Sequence, residues 1–175
     1  CQAVVAAGAD RIIIVDTSGG ALPDSYGELV REIRTAVKGN CRLSCHCHND
    51  LGLAVANTLA GIKGGAEEVQ VTALGIGERA GNTSLETLLH ALYVHQERLG
   101  LSTDIIYREI MPVLRRIAAI FGMTIPPNTP VIGDNVFATA AGTHIGSHEL
   151  YLNIDPKRVY GIEPKLFSGP HSGSY

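Results

Sequence analysis

The sequence predicts an α/β protein of three consecutive βα units followed by a mainly helical segment. Three observations carry that prediction. The run Arg11-Ile-Ile-Ile-Val15 is continuous and β-branched, the pattern of a strand buried on both faces of a parallel sheet. Strand-like and helix-like stretches then alternate with short Gly-, Asn- and Asp-containing punctuation, as in βαβ architecture. Finally, 175 residues with 45% hydrophobic side chains are enough for a substantial core.

Gln2 to Ala7 reads as a short opening helix. The first strand ends in the loop Asp16-Thr-Ser-Gly-Gly20, and Pro23 and Asp24 open a helix running to about Lys38, stopped by Gly39-Asn40. A second strand spans Arg42 to His48, with a helix from about Leu51 to Lys63 ending at Gly64-Gly65. Glu68 to Leu74 makes the third strand, and after the loop 75–81 a helix runs from about Ser84 to Arg98. Beyond a boundary near residue 100, Thr103 to Phe121 reads as a long amphipathic packing helix with Asp104 in its first turn. Pro126, Pro127 and Pro130 mark an extended connector, and Gly133 to Ala141 a short helix. The division expected is therefore 1–100 and 101–175. Three βα units leave two open sheet edges, so partner strands are expected from elsewhere. The start at Cys1 within a helical pattern, and the end after Gly169-Pro-His-Ser-Gly-Ser, also read as part of a longer protein.

Composition excludes several classes. A net charge of −3 with dispersed lysines and arginines leaves no basic footprint for nucleic acid. No run of eighteen apolar residues and no signal-peptide pattern is present, so neither a membrane span nor secretion is expected. Of the four cysteines, Cys41, Cys45 and Cys47 crowd one strand, an awkward geometry for disulfides. A reducing cytoplasm is the expected location.

The chemistry concentrates in Cys41-Arg-Leu-Ser-Cys-His-Cys-His-Asn-Asp50. On a strand Ser44, His46 and His48 share one face, and Leu43, Cys45 and Cys47 the other. Two imidazoles converging this way can ligate a metal, although a solvated pair at a strand end has the same spacing. A Cys/His zinc knuckle would need residues from opposite strand faces to meet at one ion, with no second Cys pair downstream.

All three strands end in chemically loaded loops: Asp16-Thr17, His46 to Asp50, and Gly77-Glu-Arg-Ala-Gly-Asn82. Loops at the carboxyl ends of parallel strands converge on one face, so Asn82 can add an amide oxygen to the two imidazoles. Such a site suits a divalent Zn, Mn, Mg or Fe ion. Gly75-x-Gly77-x-x-Ala80 imitates a dinucleotide fingerprint, but the acidic residue that should end a further strand falls in helix, near Glu97.

His46-Cys-His48-Asn-Asp50-Leu-Gly52 with Gly75-Ile-Gly77-Glu-Arg-Ala-Gly-Asn82-Thr-Ser-Leu-Glu86 resembles the isopropylmalate synthase and homocitrate synthase family. Those are acyl-CoA-condensing (β/α)8 TIM-barrel enzymes of the metallolyase superfamily, which includes hydroxymethylglutaryl-CoA lyase. The resemblance continues through Pro126-Pro-Asn-Thr-Pro-Val-Ile-Gly133 and Ala141-Gly-Thr-His144. It implies that the chain is the C-terminal part of a barrel, strands six to eight, followed by a helical linker and the start of a C-terminal subdomain. It further implies His46, His48 and Asn82 as metal ligands, with an aspartate of the first barrel strand as the fourth and an arginine beside it, both outside this sequence. Thr17 would bind the 2-oxo acid, Asp16 brace its loop, Glu78 be catalytic and Arg79 organise the third loop. His144 resembles a subdomain histidine that reaches a neighbouring subunit's site, with Tyr151 as its catalytic companion, so a homodimer is expected.

Two departures fall where substrate is selected. His144-Ile-Gly146-Ser-His148 lacks the family's polar pair, and Ser18-Gly19-Gly20 replaces Val-Gly-aromatic, so leucine-pathway specificity is not carried over. The lyases carry a cysteine-containing glycine loop instead of Gly-Glu-Arg-Ala-Gly-Asn, which argues against that branch. His90, His95 and His171 read as solvated or locally bonded side chains, and Cys45 and Cys47 as small apolar residues under helices.

The activity expected is a divalent-metal-dependent Claisen condensation of acetyl-CoA with a 2-oxo acid, as in isopropylmalate, homocitrate or citramalate synthases. Alternatives are an aldolase or lyase of the same superfamily, and a non-catalytic barrel-derived interaction module. Neither nucleic acid nor membrane is an expected partner.

Overall fold

The computed structural model describes residues 1–37, 39–139 and 148–166. It forms two compact units, Cys1–Leu89 and His90–Tyr175. No helix among the described residues is long and apolar enough to cross a membrane.

The first unit is a three-stranded parallel sheet in the order β1 (Arg11–Asp16), β2 (Arg42–Cys47), β3 (Glu68–Gln70). A short helix α1 (Gln2–Ala6) precedes it, and the crossovers are α2 (Pro23–Ala36) and α3 (Ala54–Gly64). Pro23 pre-sets the first turn of α2, and Asp24 lies beside its positive end. Asn49 caps α3 through its side-chain oxygen, which accepts the Ala54 N–H at 3.2 Å.

Strand alternation decides what the sheet buries. Leu43, Cys45 and Cys47 of β2 turn to the helical side and pack with Ile14, Tyr26, Val30 and Ala54 into the core of this unit. Tyr26 ties α2 to β1 by donating its hydroxyl hydrogen to Ile14 O at 2.7 Å. The opposite face is uncovered at its edge strand, where Ile13 and Val15 are 44% and 47% exposed. Burial of β1 on both faces is thus corrected: the helices cover one side only, and no described layer of this chain covers the other. In a closed barrel that side is the interior, filled by the remaining strands.

The third strand is shorter than the stretch Glu68 to Leu74 expected for it. Thr72 leaves the sheet to donate its N–H to Thr83 O at 3.0 Å, and the chain then makes a 3-10 turn at Ala73–Gly75 with Leu74 at φ 58°. The helix expected from Ser84 to Arg98 is broken. It divides at His95 into α4 (Leu85–Val94) and α5 (Gln96–Leu99).

The second unit packs α6 (Tyr107–Ile120) on α7 (Pro156–Tyr160), with a two-stranded parallel ribbon of β4 (Ala138–Thr139) and β5 (Lys165–Leu166). Ile110, Met111, Leu114 and Ala118 form the buried stripe of α6, and Asp155 caps α7 by accepting the Lys157 and Arg158 N–H groups. Of the short helix expected from Gly133 to Ala141, residues 133–139 are not helical, and Ala140 and Ala141 lie outside the described residues. The Asn135 N–H goes to Pro127 O and the Val136 N–H to Gly133 O, so these donors are used in turns, and β4 begins at Ala138.

His90 is a second correction, since it is buried and bonded to distant residues. Its ring meets the Tyr160 hydroxyl at 2.9 Å and Asn153 Oδ1 at 3.1 Å. Burial disfavours the charged imidazole and pushes its pKa down, opposed by the bond to Asn153. The unfolded chain therefore takes up this proton first, near pH 6.5, and stability falls as the pH drops through that value, levelling off below the folded-state pKa. The expected result is a lower denaturant midpoint at pH 5.5 than at pH 8, with the His90→Gln variant losing part of that dependence. An identical slope in both proteins would remove His90 as its source.

Candidate metal centre

At the carboxyl end of the first unit's sheet, backbone bonds tie the loops together before any side chain is considered. The His48 N–H goes to Asp16 O at 3.3 Å, the Asn49 N–H to Gly81 O at 2.9 Å and the Thr83 N–H to Cys47 O at 3.2 Å. Asp16 braces the first loop: its carboxylate accepts the Gly20 and Ala21 N–H groups, both at 3.2 Å, and the Asn57 amide at 3.3 Å. A side chain at Gly19 would collide with Asp50, its Cβ lying 2.6 Å from Oδ2 and 2.8 Å from the backbone N. With φ at 64° as well, the loop needs glycine there to lie against the second.

Arg79 joins all three loops. Its guanidinium donates to both Asp50 oxygens, at 2.8 and 3.0 Å, and to Thr17 O at 2.7 Å. This fork geometry is available to arginine and not to lysine. The hydrogen bond holds the Asp50 carboxyl below the usual carboxylate range. Thr17 is exposed, as is Glu78, whose carboxylate lies 3.7 Å from Arg79.

Within this frame His46 and His48 turn their Nε2 atoms toward each other at 3.3 Å, and Asn82 brings its amide Nδ2 to 3.2 Å from His46 Nε2. Nitrogens each about 2.0–2.1 Å from one ion at a tetrahedral angle stand roughly 3.3–3.4 Å apart, so the pair fits a shared divalent ion. Turning the Asn82 amide about its last bond exchanges nitrogen for oxygen and adds a hard donor to the same point. Both His48 and Asn82 are buried, and their backbones form an isolated antiparallel bridge. Two imidazoles and one amide are an incomplete set; among the described residues no three or more His, Cys, Asp or Glu side chains are grouped so that they could hold a metal ion.

The zinc-knuckle alternative is not formed. Cys45 and Cys47 are buried on the helical face, opposite His46, and burial pushes the Cys45 thiol up to about 11, away from the thiolate a metal requires. Tyr151 is exposed in a 3-10 turn at His148–Tyr151 of the second unit. His144 lies outside the described residues. Gln70, whose Oε1 is 2.7 Å from His46 Nδ1, was not singled out from sequence. Its signal was its place on the face of β3 that matches His46 across the parallel ladder.

The profile of the HMGL-like family matches residues 1–117 of this chain. The chain belongs to the HMGL-like family. The three βα units of this HMGL-like chain are accordingly part of a (β/α)8 barrel. It is 41% identical to a 2-isopropylmalate synthase of Pyrococcus abyssi and 39% identical to one of Nitratidesulfovibrio vulgaris, alignments covering 99% and 98% of the chain. It spans 37% and 35% of the length of those relatives. Among solved structures it resembles an HMG-CoA lyase of Acinetobacter baumannii determined with coenzyme A and 3-methylmalate. The TM-score is 0.58 at 26% identity, over 70% of this chain and 40% of that one.

Proposed function

We propose that the full-length protein containing this HMGL-like chain condenses acetyl-CoA with a 2-oxo acid in a divalent-metal-dependent Claisen reaction. The convergence of the His46 and His48 Nε2 atoms at 3.3 Å, beside Asn82 on one loop cluster, carries this reading. The two synthase relatives at about 40% identity support it. Residues 1–100 would belong to the catalytic barrel and 101–175 to a helical extension leading into a subdomain. The protein is proposed to be a cytoplasmic homodimer.

His46, His48 and Asn82 would hold the ion, with Zn, Mn or Mg as the candidates. When bound, the ion supplies Lewis acidity toward the keto group of the substrate. Thr17 would donate its hydroxyl hydrogen to the 2-oxo acid and fix its orientation. Attack by the deprotonated methyl carbon of acetyl-CoA forms the new carbon–carbon bond. Hydrolysis of the thioester then releases CoA and a 2-hydroxy diacid or triacid, with Glu78, and His144 and Tyr151 contributed by a neighbouring subunit, moving protons to and from the attacking water. Arg79 keeps the loops carrying Thr17, Asp50 and Glu78 in register.

The test is to incubate full-length protein, divalent metal and acetyl-CoA with a panel of 2-oxo acids. Release of free thiol that depends on one of those acids is expected. No thiol with any of them defeats the synthase reading. Cleavage of a 2-hydroxy acid product without CoA-linked condensation would instead establish the lyase alternative, which the likeness to HMG-CoA lyase keeps in view. The 175-residue chain by itself is expected to be inactive.

A further inference from the structure

Gln70 sits beside His46 in the parallel register of β2 and β3, on the sheet face that carries the candidate centre. Its Oε1 is 2.7 Å from His46 Nδ1. At the other end of the ring, Nε2 lies 3.2 Å from the Asn82 amide. An imidazole that ligates through Nε2 carries its proton on Nδ1, so the partner of Nδ1 must be an acceptor, and Gln70 Oε1 is one. His48 has no such support, because among the described residues its buried Nδ1 has no hydrogen-bond partner.

We propose that Gln70 is the positioning residue of the metal centre: by accepting the Nδ1 proton of His46 it fixes the ring and leaves the Nε2 lone pair aimed at the ion. The proposal rests on the metal-centre reading above and deepens it. Partners of this kind raise ligand basicity and hold ligand orientation, and losing one costs about 10–100-fold in metal affinity. The residue is an amide rather than a carboxylate. A neutral acceptor draws less on the Nδ1 proton than an ionised one, so His46 stays a weaker donor than it would beside glutamate. Gln70 would thus hold the geometry while setting the affinity below the maximum that this position allows.

Two variants of the full-length protein separate geometry from simple structural support. In chelator competition with zinc, Gln70→Leu should bind about 10–100-fold more weakly than wild type. Gln70→Glu, which restores an acceptor and adds charge, should bind at least as tightly as wild type. The proposal is overturned if Gln70→Leu holds zinc as wild type does, or if Gln70→Glu falls together with it. Nitrogen chemical shifts of histidine-labelled, metal-free protein give an independent readout. His46 should be protonated at Nδ1 in wild type and lose that preference in Gln70→Leu; protonation at Nε2 in wild type overturns the assignment. If wild type shows the expected tautomer but binds no zinc, the metal-centre reading fails and the positioning proposal with it, while the Nδ1 protonation of His46 stands.

Discussion

Replacing His46 with alanine in the full-length protein should abolish the proposed stoichiometric metal and, with it, the proposed condensation activity. His46 makes both of the contacts that define the centre, 3.3 Å to His48 Nε2 and 3.2 Å to Asn82 Nδ2, so its loss leaves one imidazole and one amide at that point. Lewis-acid stabilisation contributes several kcal/mol, and each 1.36 kcal/mol is tenfold in rate, so a loss of about 10³-fold or more is expected. Elemental analysis of the purified protein, run beside His95→Ala as a control from outside the site, checks it. Metal retained at the wild-type ratio would strike His46 from the ligand set. The fold should survive, because His46 is on the face of β2 away from the core formed by Leu43, Cys45 and Cys47.

Gly77→Ala should weaken metal binding substantially although Gly77 donates nothing to the site. A Cβ there would stand 1.9 Å from Asn82 Oδ1, 2.9 Å from Asn82 Cγ and 3.2 Å from the Asn82 backbone N. The Asn82 side chain must then leave its place beside His46. The expected cost is at least about 10–100-fold in metal affinity, the scale seen when a group supporting a metal site is lost. A cycle with Asn82→Ala isolates the mechanism. With the asparagine truncated both side-chain clashes are gone and only the 3.2 Å approach to the residue 82 backbone N remains, so Gly77→Ala should cost much less in that background and the two effects should be strongly non-additive. Additive losses would mean that Gly77 acts through the loop backbone instead. An unchanged affinity in Gly77→Ala alone would show that Asn82 does not need its present position.

Much of the first unit was legible because periodicity reports burial. The alternation along β2 put Cys45 and Cys47 in the core and His46 on the other face, as observed. Pro23 and Asp24 marked the start of α2 correctly. Errors came where a local pattern competed with distant partners. Thr72 continues the β-branched alternation of Val69 and Val71, yet its N–H bonds to Thr83 O, so the strand stops earlier than its composition suggests. The stretch from Gly133 is expected as helix, but the Gly133 and Asn135 N–H groups go to the proline-rich segment, at Thr129 O and Pro127 O, and those of Val136 and Ala138 close turns within the stretch. His90 has an unremarkable sequence environment. Its partners, Asn153 and Tyr160, lie more than sixty positions away.

By itself the sequence determined the βα alternation, the shared face of His46 and His48, and the loops that carry chemistry. All three follow from short-range rules: strand period, turn residues and helix caps. Which atoms meet was set by the packing of the loops. It placed Arg79 across Asp50 and Thr17, turned the two Nε2 atoms to one point, and set Gln70 behind His46. These contacts depend on strand register and loop closure between residues 24 to 62 positions apart, apart from the histidine pair itself, and no local pattern encodes them. The same structure leaves Ile13 and Val15 uncovered on the face that becomes the interior when a (β/α)8 barrel closes.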